Sequence, residues 1–432
     1  AGSTGWRWAA RQVGYVRCKT ATMYNCSAST VGAAAVPCSP GWRPDPLLPT
    51  GVDGALAPFI PAETTQPLFL TLCVPASATA GNSSALLRVR GRLGAATTPT
   101  IIAEVPVRVE VWPIVVPDVN ATEAFSSMFG VDAAVWENPL WRDPTGHGGG
   151  PAGAVVRHRW YEFLREHRLP AGNPYLYSGP RSISSVAELA ASGAKDINLM
   201  YIPLRGGPKK LSYNSTDLTS TLDALAPLVA ALEASTHSLR KKALVYGFDE
   251  WSLEYNVSIR QVLTAVKARW PWLRTAAALN FHNAMPLDFP LDIWINSYTD
   301  WDWLLPEKAV LRDAWLARGK AYWWYWCVGP EQPEFLNTFV ERPGIEARLL
   351  FWLAALRRVD GMMYYQINLW ASQCADTAGH PGPGQPVTRP SCAPVRRING
   401  TGRVDFDPAT FVSGSRFGNG EGSFTYPDEH GM

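Results

Sequence analysis

The sequence predicts an α/β protein in which a (β/α)8 barrel follows an antiparallel β-sandwich, and three observations predict it. Up to about Pro117, short apolar and β-branched runs are separated by turn residues. From about Ala124, apolar strands alternate with amphipathic helical stretches, the rhythm of a parallel sheet. Eight strands are counted in that second region, the number that closes a barrel. The expected boundaries are 1–118 for the sandwich, 119–375 for the barrel and 376–432 for a Pro/Gly-rich segment packing on it.

In the first region QPLFLTLCVP, SALLRVRGRL and EVPVRVEVWPIVVP read as strands, the last with period-two alternation. In the second, FSSMFGV and NPYLYS count as the first two strands, with the helix RHRWYEFLREHRL between them. NLMYIP, KKALVYGF, TAAALNF, LDIWINSY, KAYWWYWCV and GMMYYQINLW supply the other six. LTSTLDALAPLVAALEAS, NVSIRQVLTAVKARW, PEKAVLRDAWLARG and IEARLLFWLAALRRV are the helices among them. After Trp370 comes a long loop rich in Pro, Gly and Ser.

Charge and aromatic content narrow the partner. The 432 residues carry 39 basic and 37 acidic side chains, a net charge of +2, which lacks the basic excess of a nucleic-acid footprint. With 18% charged and 11% aromatic residues, the chain has the material for a sizeable core. Twelve of the 19 Trp lie between Trp251 and Trp370, and an uncharged sugar held by stacking suits such a region. No apolar run reaches the roughly 18 residues of a membrane span.

The start AGSTGWRW, without Met or an apolar leader, reads as a mature, trimmed or fragmentary form. Six sequons, at Asn25, Asn82, Asn120, Asn214, Asn256 and Asn399, point to glycosylation and a secreted or luminal protein. Of the seven Cys, Cys374 and Cys392 bracket the long loop as a candidate disulfide, and Cys18, Cys26 and Cys38 offer another. Cys73 and Cys327 lie in apolar runs and read as buried thiols.

H-E-x-x-H, G-x-S-x-G and Walker motifs do not occur, and the seven His are scattered, so neither a metal nor a cofactor is expected. GNGEG near Gly418 reads as a glycine cluster without the preceding strand and following helix of a phosphate loop. What carries chemistry is ALVYGFDEW. An apolar strand ends in Asp249 and Glu250 beside Trp251, where barrel enzymes place catalysis. Two neighbouring carboxylates repel, so one holds its proton more tightly, giving an acid beside a base. Adjacent side chains do not straddle a sugar as opposed acid and nucleophile. They suit substrate-assisted hydrolysis, with Glu250 protonating the leaving oxygen and Asp249 holding the acetamido N–H of an oxazolinium intermediate.

With these residues in view, the chain resembles glycoside hydrolase family 123. The similar stretches are VGYV, GWRPDPLLP, PLFLTLCVP, FDEW, PLDIWINS, ARGKAYWWYWCVGP, IEARLLFWLAALRRVDGMMYYQINLW and GNGEGSFTYP, in the family's order. The resemblance implies Asp249 as the assisting acid and Glu250 as the acid/base, in a retaining exo-enzyme on terminal β-linked N-acetylgalactosamine. Two departures stand out: the chain stops at Met432, short of the family's Arg-rich helix, and AGSTGWRW starts within the sandwich.

Further candidate binding residues follow from strand ends. They are Trp251 beside the acids, Asn280 ending the fifth strand, and Asn296 and Tyr298 ending the sixth. Trp324 and Trp326 share one face of KAYWWYWCV, Trp323 and Tyr325 the other, so at most half of the run meets substrate; Trp324 and Tyr325 are the candidates. Tyr364, Asn368 and Trp370 complete the set on the last strand. Glu346 and Arg348 read as a helix-surface ion pair or an Arg packing under the barrel, and Trp352 as helix-to-barrel packing. The expected function is hydrolysis of a glycan or glycoconjugate, with no oligomeric state assigned. The alternatives are another N-acetylhexosamine, an internal linkage, or a non-catalytic carbohydrate-binding glycoprotein.

Overall fold

The computed structural model describes residues 5–20, 22, 40–48, 60, 64–92, 94, 97–117, 119, 125–131, 136, 153–176, 179–202, 215–235, 237–280, 285–298, 306–329, 335–370, 396–398, 402–412 and 415–426. In the N-terminal part, β1 (Arg7–Cys18) pairs antiparallel with β2 (Gly41–Leu48) on one side and β3 (Leu68–Cys73) on the other. β4 (Gly81–Gly91) and β5 (Thr100–Val111) form a separate antiparallel hairpin. What the described residues show of the expected sandwich is these two small antiparallel sheets. The hairpin keeps Leu86, Ile101, Ile102 and Val105 exposed.

The second part is a curled parallel sheet with helices against it. Its strands are β6 (Ser126–Phe129), β7 (Ile197–Ile202), β8 (Ala243–Gly247), β10 (Arg274–Asn280), β11 (Ile293–Ser297), β12 (Ala321–Tyr325) and β13 (Gly361–Tyr364). They lie in the order β6-β13-β12-β11-β10-β8-β7, all parallel, and the two-residue β9 (Trp251–Ser252) pairs with the end of β10. The helices are α1 (Gly153–Glu166), α2 (Ile183–Ala191), α3 (Ser215–Glu233), α4 (His237–Lys242), α5 (Asn256–Arg269), α6 (Pro306–Leu316) and α7 (Ile345–Leu356).

The described part of NPYLYS, residues 173–176, does not form the strand expected second in the sheet. Pro174 has no N–H to give a ladder and Asn173 sits at φ 40°, so residues 171–176 run irregularly after a single bridge, Phe129 to Ala171. The segment still links both edges of the sheet. Gly172 N donates to Phe129 O (3.1 Å), and Tyr201 N donates to Leu176 O (3.4 Å).

Period-two alternation divides the sheet into two cores. Met128, Tyr201, Leu244, Tyr246, Ala276, Ala278, Ile293, Ile295, Trp323, Tyr325 and Met363 face the inside of the curl. Trp294, Tyr322, Trp324, Trp326, Met362 and Tyr364 face the helices. Small and large residues interdigitate in the inner set; Gly361 is required because a Cβ there would meet the Trp323 ring at 2.5 Å. Trp315, Trp323, Trp324, Trp326 and Trp370 are all buried, so the tryptophan excess is spent largely on packing.

Helix faces correct several expectations. On α7 the residues facing the sheet are Glu346, Leu350 and Ala354, four apart. Trp352 stands about 200° around the helix from Leu350, at about 100° per residue, and is 68% exposed instead of packing on the barrel. Glu346 is buried and pairs with Arg342 at 2.7 Å, not with Arg348. Cys73 is exposed because β3 is an edge strand of a three-stranded sheet. No disulfide joins Cys18, Cys73 and Cys327; Cys26, Cys38, Cys374 and Cys392 lie outside the described residues. Among the sequons, Asn82 is exposed on β4, whereas Asn256 opens α5 with Ser258 fully buried. Asn25, Asn120, Asn214 and Asn399 lie outside the described residues.

Near the C-terminus, β14 (Arg396–Arg397) pairs with β15 (Val404–Asp405), and β16 (Ala409–Val412) with β17 (Ser415–Asn419). A strand therefore does lead into the glycine cluster at Gly418, though no helix follows among the described residues. The chain beyond β17 docks on the continuation of β13: Leu369 N donates to Gly422 O and Phe424 N to Ile367 O, both at 2.8 Å.

Candidate active site

The acid pair sits in the turn that leaves β8. Gly247 lets β8 approach β7 closely, since a Cβ there would lie 2.4 Å from Ile202 O. Phe248 and Glu250 then adopt φ of 60° and 56°, a region that side chains other than glycine seldom occupy. Such residues each cost about 1–3 kcal/mol and persist where the surroundings hold them, characteristically at functional sites. The turn ends as Trp251 and Ser252 pair with Leu279 and Asn280 of β10, and a 3-10 turn (Leu253–Tyr255) leads into α5.

Each carboxylate has its own tyrosine partners. Tyr246, three residues earlier on the inner face of β8, donates its hydroxyl to Asp249 Oδ1 at 2.5 Å. Tyr175, from the irregular segment, donates to Asp249 Oδ2 at 2.9 Å. From β12, Tyr325 donates to Glu250 Oε1 at 2.7 Å. Asn280 Nδ2 donates to the Glu250 backbone carbonyl at 3.3 Å, fixing the turn. Asp249 is half-buried and Glu250 is exposed.

Burial raises the Asp249 carboxyl above its ordinary value, the two tyrosine hydrogen bonds pull it back, and the neighbouring Glu250 charge adds to the rise. Burial pushes the Tyr246 hydroxyl well up, with the nearby Tyr175 and Asp249 adding to the rise. Burial first, then the Glu250 charge, does the same for Tyr325. Both of these hydroxyls remain protonated donors at neutral pH. Among the described residues no group of three or more His, Cys, Asp or Glu is placed to hold a metal.

Of the sequence-predicted residues, the structure brings Tyr325, Asn280 and Trp251 to the acid pair. Trp251 is half-buried with its ring edge-on to Tyr255, centroids 4.2 Å apart. Six others lie elsewhere. Asn296, Tyr298 and Trp324 sit on the helix side: Trp324 is register partner to Asn296, Asn296 Nδ2 lies 3.5 Å from Tyr322 Oη, and the Tyr298 hydroxyl donates to Leu336 O. Tyr364 accepts from Gly422 N (3.0 Å) and stacks on Phe424. Asn368 is fully buried and accepts from Gln366, and Trp370 donates to Thr425 O at 2.8 Å. The reason is parity: a residue one place along a strand turns to the other face.

Sequence reading missed Tyr175 and Tyr246. Tyr246 was detectable as the single hydroxyl-bearing side chain of ALVYGF, on the alternate that faces inward. Tyr175 was hidden by counting NPYLYS as a strand.

Residues 223–389 match the family model described as the glycoside hydrolase 123 catalytic domain, and that span contains Asp249, Glu250 and Tyr325. No curated protein matches the chain. Among solved structures, a family 123 glycoside hydrolase from Clostridium perfringens, studied for the details of glycolipid glycan hydrolysis, shares the fold with a TM-score of 0.55 at 8% identity. The alignment covers 83% of this chain and 66% of that one. Residues 223–389, which hold the strand-end acid pair together with Tyr246 and Tyr325, are thus similar to a glycoside hydrolase 123 catalytic domain.

Proposed function

We propose that the enzyme removes terminal β-linked N-acetylgalactosamine from a glycan or glycoconjugate, with retention, by substrate-assisted catalysis. The observation that carries this is the division of the pair: Asp249 is half-buried and held through both oxygens, while Glu250 is exposed and held through one. A fixed carboxylate suits a group that orients the substrate. An exposed one suits a group that exchanges protons with the leaving oxygen and with water.

In this reading the acetamido carbonyl oxygen of the sugar attacks its own anomeric carbon as the glycosidic C–O bond breaks. Glu250 gives its proton to the departing oxygen. Asp249 accepts the hydrogen bond of the acetamido N–H and balances the positive oxazolinium. Glu250, now a carboxylate, takes a proton from water as that water attacks the anomeric carbon and opens the ring. Two displacements at one carbon return the original configuration. The solved neighbour's work on glycolipid glycans supports a glycoconjugate substrate, and the exposed Asn82 sequon supports a secretory-pathway location.

The test is hydrolysis of 4-nitrophenyl N-acetyl-β-galactosaminide beside the corresponding glucosaminide, with the anomer of the product followed by NMR. Release of the β-anomer first from the galactosaminide supports the proposal. Faster cleavage of the glucosaminide shifts it to another N-acetylhexosamine, and first release of the α-anomer overturns the mechanism.

A further inference from the structure

The two tyrosines that hold Asp249 come from different parts of the chain, and one buried amide aligns them. Asn198, on β7, has no exposed surface. Its Nδ2 donates to Pro174 O at 2.7 Å, one residue before Tyr175. Its Oδ1 accepts from Tyr246 N at 2.9 Å and from Met200 N at 3.3 Å. The β7–β8 register is interrupted between Asn198 and Tyr201, so the side-chain amide stands in for a missing rung of the ladder. Arg181 braces the same segment, donating to Asn198 O (2.8 Å) and Gly172 O (3.2 Å).

The consequence lies at Asp249. Phenol hydroxyls donating to both Oδ1 and Oδ2 fix the carboxylate plane, and they favour the form with two acceptor oxygens over the protonated acid. Tyr201 packs against both rings, with centroids 5.9 Å from Tyr175 and 5.8 Å from Tyr246, and limits their tilt. The titratable groups facing Asp249 are Tyr175 from the irregular segment, Tyr246 from β8, Glu250 from its own turn, and Tyr325 and Cys327 from the end of β12. Burial pushes the Cys327 thiol up to about 12, and the neighbouring Glu250 charge raises the Asp249 carboxyl.

We propose that Tyr175 and Tyr246, aligned through Asn198, are positioning residues that keep Asp249 ionised and aim it at the acetamido group of the substrate. The role rests on the substrate-assisted reading above. The test is kcat/KM against pH on 4-nitrophenyl N-acetyl-β-galactosaminide for wild type, Tyr246→Phe, Tyr175→Phe and Asp249→Asn. Loss of either hydroxyl should raise the midpoint of the acid limb by about one pH unit, a roughly tenfold loss below it with recovery above. An unmoved limb, or an equal loss at every pH, overturns the inference while Asp249→Asn still shows the acid to be needed. An Asp249→Asn enzyme with wild-type activity overturns the substrate-assisted reading itself. The infrared carboxyl band that Asp249→Asn removes gives the same midpoint without substrate; it should rise in both Phe variants, and a fixed midpoint overturns the inference. Tyr175 is half-buried, so its variant keeps the test open if Tyr246→Phe fails to fold.

Discussion

Tyr325 reaches from β12 to Glu250, its hydroxyl 2.7 Å from Oε1, and binds the exposed acid of the pair to the inner face of the sheet. The contact crosses two strands, β10 and β11, that lie between β8 and β12. It makes the aromatic run on β12 part of the site through one residue.

Removing that hydroxyl should slow the reaction without weakening substrate binding. A hydrogen bond to a charged group contributes about 1.5–3 kcal/mol, so Tyr325→Phe is expected to lower kcat about tenfold or more with KM little changed. Glu250→Gln should cost about 100- to 10,000-fold, the range of general acid–base catalysis. Steady-state kinetics on the aryl glycoside decide both, and a Tyr325→Phe enzyme that changes only KM would place the hydroxyl on substrate instead.

A second expectation concerns pH and stability. Glu421 is buried, and burial pushes its carboxyl from the ordinary 4.5 up to about 8, against a hydrogen bond from Tyr365 that lowers it. Between those values the folded protein binds a proton that the unfolded chain releases, so stability falls as pH rises. The contribution is complete below about pH 4.5 and is lost as pH approaches about 8, at no more than about 1.4 kcal/mol per pH unit. Thermal melting from pH 5 to pH 9 (about the span needed) should show a decline that Glu421→Gln flattens. Parallel curves for the two proteins would refute the assignment.

The turn under the acid pair should tolerate no side chain at Gly247. A Cβ 2.4 Å from Ile202 O meets backbone, which cannot rotate away, so β7 and β8 must separate. Gly247→Ala is expected to cost about 1–3 kcal/mol of stability and to reduce kcat, because Asp249 and Tyr246 ride on the same strand. Urea unfolding and kinetics of the one variant measure both effects; full activity would show that the turn moves freely of the strand.

Part of the site was legible because strand ends are legible. An apolar run terminated by Asp249 and Glu250 has few other readings when helices and strands alternate around it, and a period of two marks Tyr325 and Trp324 as facing opposite ways. Parity alone does not say which alternate points inward. Asn296, Tyr298, Trp324 and Tyr364 are on the helix side because β11, β12 and β13 enter the sheet in a register set by their neighbours. Asn368 and Trp370 are covered by residues 422–425, more than 50 positions away in the chain.

By itself the sequence determined the alternation of strands and helices, the acid pair at the end of β8, and a parity for every strand residue, because each depends on neighbours within a few positions. Tertiary structure alone decided the rest: that β12 presents Tyr325 to Glu250, that a Pro-broken segment brings Tyr175 to Asp249, and that Asn198 aligns it with Tyr246. Those contacts join residues 24 to 75 positions apart, across distances that no local pattern encodes.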